Sequence, residues 1–298
     1  MERVTNAALS ASVLASNQRT LKRLATYQTQ LASGKRINAV SDDPVSARIA
    51  LRYRAEDQQA AKHLDNIGKA IGFITATDAT LSEMSTSFDQ VKALAVQGSN
   101  GSQDAASRKA LAAAVQSHLD RMLDLANTVH DGRYIFAGTA VTTRPFEQAA
   151  DGSAVAYVGN LDTFEVDVSP GATATVNDNG YALFQGGAAD IFRTLIELRD
   201  ALSDNDTQTI VDQLAVIDDA QTHLNDLHGQ LGGRMQRLEL TRNQTEAART
   251  TIAELISQTE DADMTELIAN MQLAETALQA GLQSGARVVQ PTLLDFLR

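Results

Sequence analysis

Cysteine and tryptophan are missing from this 298-residue chain, proline occurs only four times, and aromatic residues make up 4%. The lack of cysteine excludes disulfides and thiolate metal sites. No apolar run approaches the roughly 20 residues that cross a bilayer. Met1 to Leu14 shows no basic stretch followed by an apolar core, so no Sec-type signal peptide is read there. Positive charge is also short, with a net of −12. That argues against nucleic acid, whose phosphates demand a basic surface. What is present, a chain rich in Ala, Leu, Gln and Thr, is the composition of long helical proteins. The length allows one or two domains and a sizeable core.

The charge is unevenly spread. Arg3, Arg19, Lys22, Arg23, Lys35 and Arg36 against Glu2 give +5 over residues 1–36, so the rest carries −17 where the whole carries −12. A basic arm on an acidic body can pair one copy's end with another copy's flank, and a solvated basic helix face is the alternative. The charge pattern leaves both open.

Hydrophobic spacing is the strongest signal. Val4, Ala7, Ala11, Leu14, Leu21 and Ala25, flanked by Leu24 and Leu31, recur at steps of three and four or their sums. Leu224, Leu227, Leu231, Leu238, Ala248, Ile252 and Leu255 hold the same period near the other end. Each stripe predicts one face of a long helix in a coiled-coil-like seam. Ser41-Asp42-Asp43-Pro44 predicts an N-cap with proline at the first helical position. A helix then runs to about Val96 on a column spaced seven apart: Ala60, Ile67, Ile74, Leu81, Phe88 and Ala95. Leu64 and Ile71 fill one side of the column, Met84 and Val91 the other. Such a helix is about 80 Å long, which only a rod-like domain accommodates. Gln97-Gly98-Ser99-Asn100-Gly101-Ser102 breaks it, and Leu111, Val115, Leu119, Met122, Leu125 and Val129 carry another helix to about His130.

The texture then changes. Residues 133–184 hold Tyr134, Phe136, Phe146, Tyr157, Phe164, Tyr181 and Phe184, more than half of the chain's Phe and Tyr. Alternating runs at Val155–Val158 and Phe164–Val168 sit between Gly, Asn and Pro clusters, a strand-and-turn pattern. Helix resumes with Ile191, Leu195, Leu198 and Leu202, and again from about Thr207 to about Thr259. Glu260-Asp261-Ala262-Asp263 interrupts it before a last segment with Leu267, Met271, Ala274, Leu278 and Leu282. The predicted fold is mainly α with an inserted β-rich module, a long antiparallel coiled-coil-like helical rod. Its divisions are an N-terminal assembly helix over 1–40, a first rod segment over 41–132, the β-rich module over 133–188, return helices over 189–260, and a C-terminal assembly helix and tail over 261–298.

The ends look incomplete alone. The first helix offers few large side chains, and Gln18 and Gln28 dilute its seam. Burial there falls short of the roughly 1–2 kcal/mol that ordering each residue's backbone costs. Residues 1 to about 35 and the last 30 or so are therefore expected to lack structure in the monomer and to become helical only in an assembly. The tail, with Val289, Leu293, Leu294, Phe296 and Leu297, is apolar enough to need a partner.

Catalytic patterns are missing. There is no GxGxxG, P-loop or GxSxG. His63, His118, His130, His223 and His228 are scattered, and the last two, five apart, fall on different helix faces, so a shared metal is not expected. Asp42-Asp43 and Asp218-Asp219 read as caps or solvated charge. The reading is a structural protein rather than an enzyme, with no cofactor. Arg133, Tyr134, Phe136 and Gly138, where helix gives way to strand, read as a packed junction more than as a ligand site.

Leu31-Ala32-Ser33-Gly34-Lys35-Arg36-Ile37-Asn38 with Ser41-Asp42-Asp43-Pro44 closely resembles the turn after the first helix of bacterial flagellins and flagellin-like junction proteins. Asp131-Gly132-Arg133-Tyr134-Ile135-Phe136-Ala137-Gly138 with Pro145-Phe146, and the tail Gln290–Leu297, resemble a narrower hook-associated branch of that superfamily. The resemblance implies a structural protein of the hook–filament junction that forms a ring with copies of itself. It implies contact with the first hook-associated protein and with flagellin. It also implies export through the flagellar type III apparatus, outside the cell, after capture by a cytosolic export chaperone.

On this chain the implied assembly interface comprises Val4, Leu14, Leu21, Leu24, Leu31, the turn residues Gly34, Arg36, Asn38, Asp42 and Asp43, and Leu278, Leu282, Val289, Leu293, Leu294, Phe296 and Leu297. The rod-to-β junction comprises Arg133, Tyr134, Phe136, Gly138, Pro145 and Phe146. The chaperone segment comprises Leu267, Met271, Leu278, Leu282, Leu294 and Phe296. A flagellin is the alternative, and a cytosolic coiled-coil scaffold a distant one.

Overall fold

Aspartate caps five of the described helices of this chain. In the computed structural model, which describes residues 6–186 and 190–289, α1 spans Asn6–Ser33, α2 Pro44–Ser99 and α3 Ala105–Ala126. Asp43 accepts from the Ser46 N–H ahead of α2, and Asp104 from the Ser107 N–H ahead of α3. After the β segments come α4 (Gly180–Phe184), α5 (Ile191–Ser203), α6 (Thr207–Glu260) and α7 (Met264–Val289). Asp190, Asp206 and Asp263 cap the last three in the same way, through the N–H groups of Arg193, Thr209 and Glu266. A short carboxylate there satisfies orphan donors and sits at the positive end of the helix dipole.

The strands form three antiparallel ribbons. β1 (Val129–His130) pairs with β2 (Arg133–Tyr134), β3 (Phe146–Gln148) with β4 (Val155–Tyr157), and β5 (Glu165–Ser169) with β6 (Ala172–Thr175). Asp131 and Gly132 link the first pair with φ of 49° and 74°. Two consecutive left-handed residues make the tight hairpin turn that Asp-Gly favours.

The chain divides into two compact units. The larger, Ala60–Ala247, holds a continuous apolar cluster. The column read from the sequence lies in it: Ile67, Ile74, Leu81, Phe88 and Ala95 of α2 are all fully buried. Ile210, Ile217, Leu224, Leu231 and Leu238 of α6, also spaced seven apart, join the same cluster with Val115, Leu119 and Met122 of α3 and Leu195, Leu198 and Leu202 of α5. This corrects the reading of Leu224–Leu238 as part of a terminal seam. Those leucines belong to the core of the larger unit.

The smaller unit joins Met1–Gln59 to Ala248–Arg298. Among its described residues the buried apolar side chains are Ile37, Ala47, Ala50 and Leu267. Within it α1 packs along α7. A Cβ at Gly281 would overlap the Asn17 side chain, and one at Gly285 would come within 3.2 Å of Val13 Cγ1. Two glycines four apart on α7 thus let α1 approach closely, by backbone rather than by leucine packing.

The half-buried face of α1 accordingly carries Val13, Asn17, Thr20, Leu24, Tyr27 and Leu31. Leu14 and Leu21 from the predicted stripe are 60% and 50% exposed, and Ala11 and Ala25 are exposed too. The structure also differs on the ends themselves, since α1 and α7 are helical in the single chain and find partners in each other. Val4, Leu293, Leu294, Phe296 and Leu297 lie outside the described residues, as does the side chain of Val289.

The buried column sets a direct test. Ile74→Ala removes a fully buried side chain and should destabilise the larger unit by about 2–5 kcal/mol. Urea unfolding monitored by a probe in α3 or α5 should show the midpoint fall without loss of cooperativity.

Candidate functional site

Within the smaller unit, the turn after α1 and the turn after α6 are tied together. Gly34, at φ 71°, ends α1 by donating its N–H to the Gln30 carbonyl. A side chain is strained in that left-handed conformation, so the position favours glycine. The next residues form a short antiparallel bridge, Lys35 opposite Asp261. Arg36 N–H donates to the Glu260 carbonyl at 2.6 Å, and Ala262 N–H donates to the Gly34 carbonyl at 3.0 Å.

Side chains reinforce the bridge. The Glu260 carboxylate is almost fully buried and takes Lys35 Nζ at 3.0 Å and Arg54 Nη2 at 2.5 Å. Arg36 reaches two ways, with Nη2 donating to the Thr259 carbonyl at 3.0 Å and Nη1 lying 3.4 Å from Asp43 Oδ2. Planar guanidinium suits that double reach better than an ammonium. Asn38 donates to the Lys35 carbonyl, while Asp42 accepts from the Asn38 and Ala39 N–H groups. Further along α2 and α6, Asp57 accepts from Arg249 at 2.8 Å, and that arginine holds its carboxyl below the usual range.

Gly34, Arg36, Asn38, Asp42 and Asp43 are thus brought into one corner. What the sequence did not reveal is their partner: Glu260, Asp261 and Ala262, far away in the chain, and Arg54. The available signal was the acidic run 260–263 facing the basic pair Lys35-Arg36.

On α7, Leu267 is buried while Met271 and Leu278 are half-buried on the side carrying Gly281 and Gly285. Leu273 and Leu282 point outward, 67% and 57% exposed. The predicted interface residues therefore separate. Leu14, Leu21 and Leu282 are uncovered, whereas Leu24, Leu31 and Leu278 lie on the sides of α1 and α7 that are partly covered.

In the larger unit, Phe136, Gly138, Pro145 and Phe146 are buried, Tyr134 is half-buried and Arg133 is exposed. Phe136, Phe146, Phe184 and Phe192 form a ring cluster with centroids 4.9–6.1 Å apart. Asn127 brackets Phe146 as a strand would, donating to its carbonyl and accepting from its N–H. Asn177 donates to the Gly138 carbonyl and accepts from the Phe164 N–H. This is a packed junction, with Arg133 left out of it at the β1–β2 hairpin.

A cleft of about 530 Å³ lies between the β5–β6 ribbon and α6, lined by Thr163, Thr175, Asp178, Arg234, Arg237 and Thr241 among others. Arg234 donates to both Asp178 oxygens at 2.7 and 2.9 Å, which occupies that pair with itself. His118 meets Ser87 Oγ at 2.9 Å, and burial, then nearby Arg121, pushes its pKa down. Among the described residues no group of three His, Asp or Glu side chains is placed to hold a metal ion. No helix there is long and apolar enough to cross a membrane.

The model for the bacterial flagellin N-terminal helical region matches residues 4–141, and that for the bacterial flagellin C-terminal helical region matches residues 214–297. The chain belongs to the bacterial flagellin superfamily. Within it, the chain is 29% identical over 159 residues to flagellar hook-associated protein 3 of Escherichia coli (strain K12), covering 53% of this chain and 49% of that protein. It spans about half the length of the curated hook-associated relatives it matches. It is 28% identical over 189 residues to a flagellin of Listeria monocytogenes, covering 60% of this chain and 64% of that protein. The solved hook-associated protein-3 of Legionella pneumophila shares the fold, with a TM-score of 0.63 at 17% identity over 69% of this chain and 97% of that one.

Two outcomes test the corner. Hydrogen bonds from Ser46, and then from Arg36 and Val45, hold the Asp43 pKa down to about 2 from 3.8. A carboxylate with a depressed folded pKa stabilises fully above its unfolded value and loses that contribution as pH falls through the folded one. Amide exchange at 45–47 should therefore quicken, relative to its intrinsic rate, between about pH 4 and pH 2, while exchange at 85–91 should not. Glu260→Ala should loosen the turn by about 1–2 kcal/mol, the low end for charged hydrogen bonds because Lys35 and Arg54 are half-exposed and can turn to water. The gain in exchange at Arg36 and Ala262 measures it.

Proposed function

We propose that this chain is a structural subunit of the bacterial flagellum, placed at the hook–filament junction, where copies of it join the hook-proximal hook-associated ring to the flagellin filament. The observation that carries the reading is the state of the smaller unit in a flagellin-superfamily chain. Its helices are formed and cornered by polar contacts, yet Leu14 and Leu21 on α1 and Leu273 and Leu282 on α7 remain turned to water. Uncovered apolar side chains on opposed helices fit burial by neighbouring subunits. Similarity to a protein named flagellar hook-associated protein 3 supports the junction in particular.

The same reading carries the partners: further copies of the chain, the first hook-associated protein, flagellin, the flagellar type III export apparatus, and a cytosolic export chaperone. Capture through Leu267, Met271 and Leu278 requires α7 to leave α1, because those side chains face inward, whereas Leu282 is open to capture as it stands. The second reading, a filament subunit, draws on the longer match to a flagellin.

Immunogold electron microscopy of detached flagella separates them. A label confined to a short band between hook and filament supports the junction, and label along the whole filament supports the flagellin reading. Leu14→Asp with Leu21→Asp should leave the monomer's helix content and urea midpoint unchanged, since both side chains already meet water. The same pair should abolish incorporation into flagella, read by loss of the band.

A further inference from the structure

Between α2 and α3, Asn100-Gly101-Ser102 forms an exposed turn whose hydrogen bonds are arranged around one side-chain carbonyl. Asn100 Oδ1 accepts from the Ser102 N–H at 3.1 Å and from the Ser102 hydroxyl at 3.0 Å. Asn100 Nδ2 and the Gly101 N–H have no hydrogen-bond partner among the described residues, although the N–H groups of Asn100 and Gln103 both do. Nothing stands within 4 Å of where a Cβ of Gly101 would lie. The attacking nitrogen, the leaving nitrogen and the space around them are all free, and only the oxygen between them is held.

We infer that Asn100 is a self-modification site, at which the Gly101 backbone nitrogen displaces the Asn100 side-chain nitrogen and converts the amide to an acid. Solvent base removes the Gly101 N–H proton, and the nitrogen forms a bond to Asn100 Cγ. Negative charge then develops on Oδ1, where the two Ser102 donors already point. Collapse breaks the Cγ–Nδ2 bond, and the nitrogen leaves as ammonia after taking up a proton. Water opens the five-membered imide at either carbonyl, giving aspartate or isoaspartate. The net change is addition of one water and loss of one ammonia, with no oxidant or reductant.

The consequence falls on Arg108. Its buried guanidinium donates to the Asn100 carbonyl at 3.0 Å, to the Gly98 carbonyl at 2.8 Å and to Asn205 Oδ1 at 2.5 Å. Isoaspartate routes the backbone through the former side chain and so moves the carbonyl that Arg108 holds.

The test incubates the full chain at mildly alkaline pH, folded and in parallel unfolded in guanidinium. The tryptic peptide Ala93–Arg108 is then read by mass and by enzymatic methylation of isoaspartate. Asn100 in the folded chain should convert at least as fast as in the unfolded one. Ser102→Ala should slow only the folded rate, by roughly three- to tenfold, less than the loss of a donor in a water-excluded oxyanion site because this turn is wet. Gly101→Ala should slow both rates by about tenfold, since a Cβ crowds the attacking residue. Slower conversion in the folded chain, or a folded rate untouched by Ser102→Ala, overturns the proposal.

Discussion

Buried apolar side chains are divided very unequally between the two units, and most of the architecture follows from that division. Phe88, Ile74, Met122, Leu195 and their neighbours form one cluster in the larger unit, so its helices are held by burial worth roughly 1.5–3 kcal/mol per large side chain. The smaller unit buries Ile37 and Leu267 as its only large apolar side chains among the described residues. Its order therefore depends on directional contacts: the Lys35–Asp261 bridge, the Glu260 carboxylate, and the close seam that Gly281 and Gly285 allow. Hydrogen bonds of this kind specify a geometry well but contribute little net stability, about 1 kcal/mol each.

That contrast also explains which parts of the sequence were legible. The column Ile67–Ala95 was readable because a seven-residue period in one long helix has few other meanings, and the residues are large. Asp43 before Pro44 likewise announced the start of α2, whereas the caps at Asp104, Asp190, Asp206 and Asp263 went unread. The α1–α7 seam was not readable, because its determinants are Asn17, Val13 and two glycines, and a search for leucine stripes picks out Leu14 and Leu21 on the wrong face. The corner was half-readable. Gly34 and Asp43 carry local conformational signals, but nothing local says that Lys35 meets Glu260. At the junction near Phe146, the aromatic cluster was suggested by composition, while the brackets formed by Asn127 and Asn177 carry no pattern.

A chain built this way suits the proposed role of a subunit, firm in its larger unit and permissive in α1 and α7. The corner fixes where α1 and α7 emerge, and their uncovered leucines remain available to neighbours. On the proposed function, stability is added by assembly itself, since binding to the ordered form shifts the equilibrium toward it. Regions that take part in such coupling are drawn from the least stable elements of a fold.

Hydrogen exchange by mass spectrometry on the dilute, full-length monomer tests this division most directly. The account predicts that α1 and α7 exchange by local opening at least about a hundredfold faster than the α2 segment around Phe88, a difference of about 2.7 kcal/mol. Protection in α1 equal to that around Phe88 would contradict it, because the terminal helices would then be stable without any neighbour to cover them.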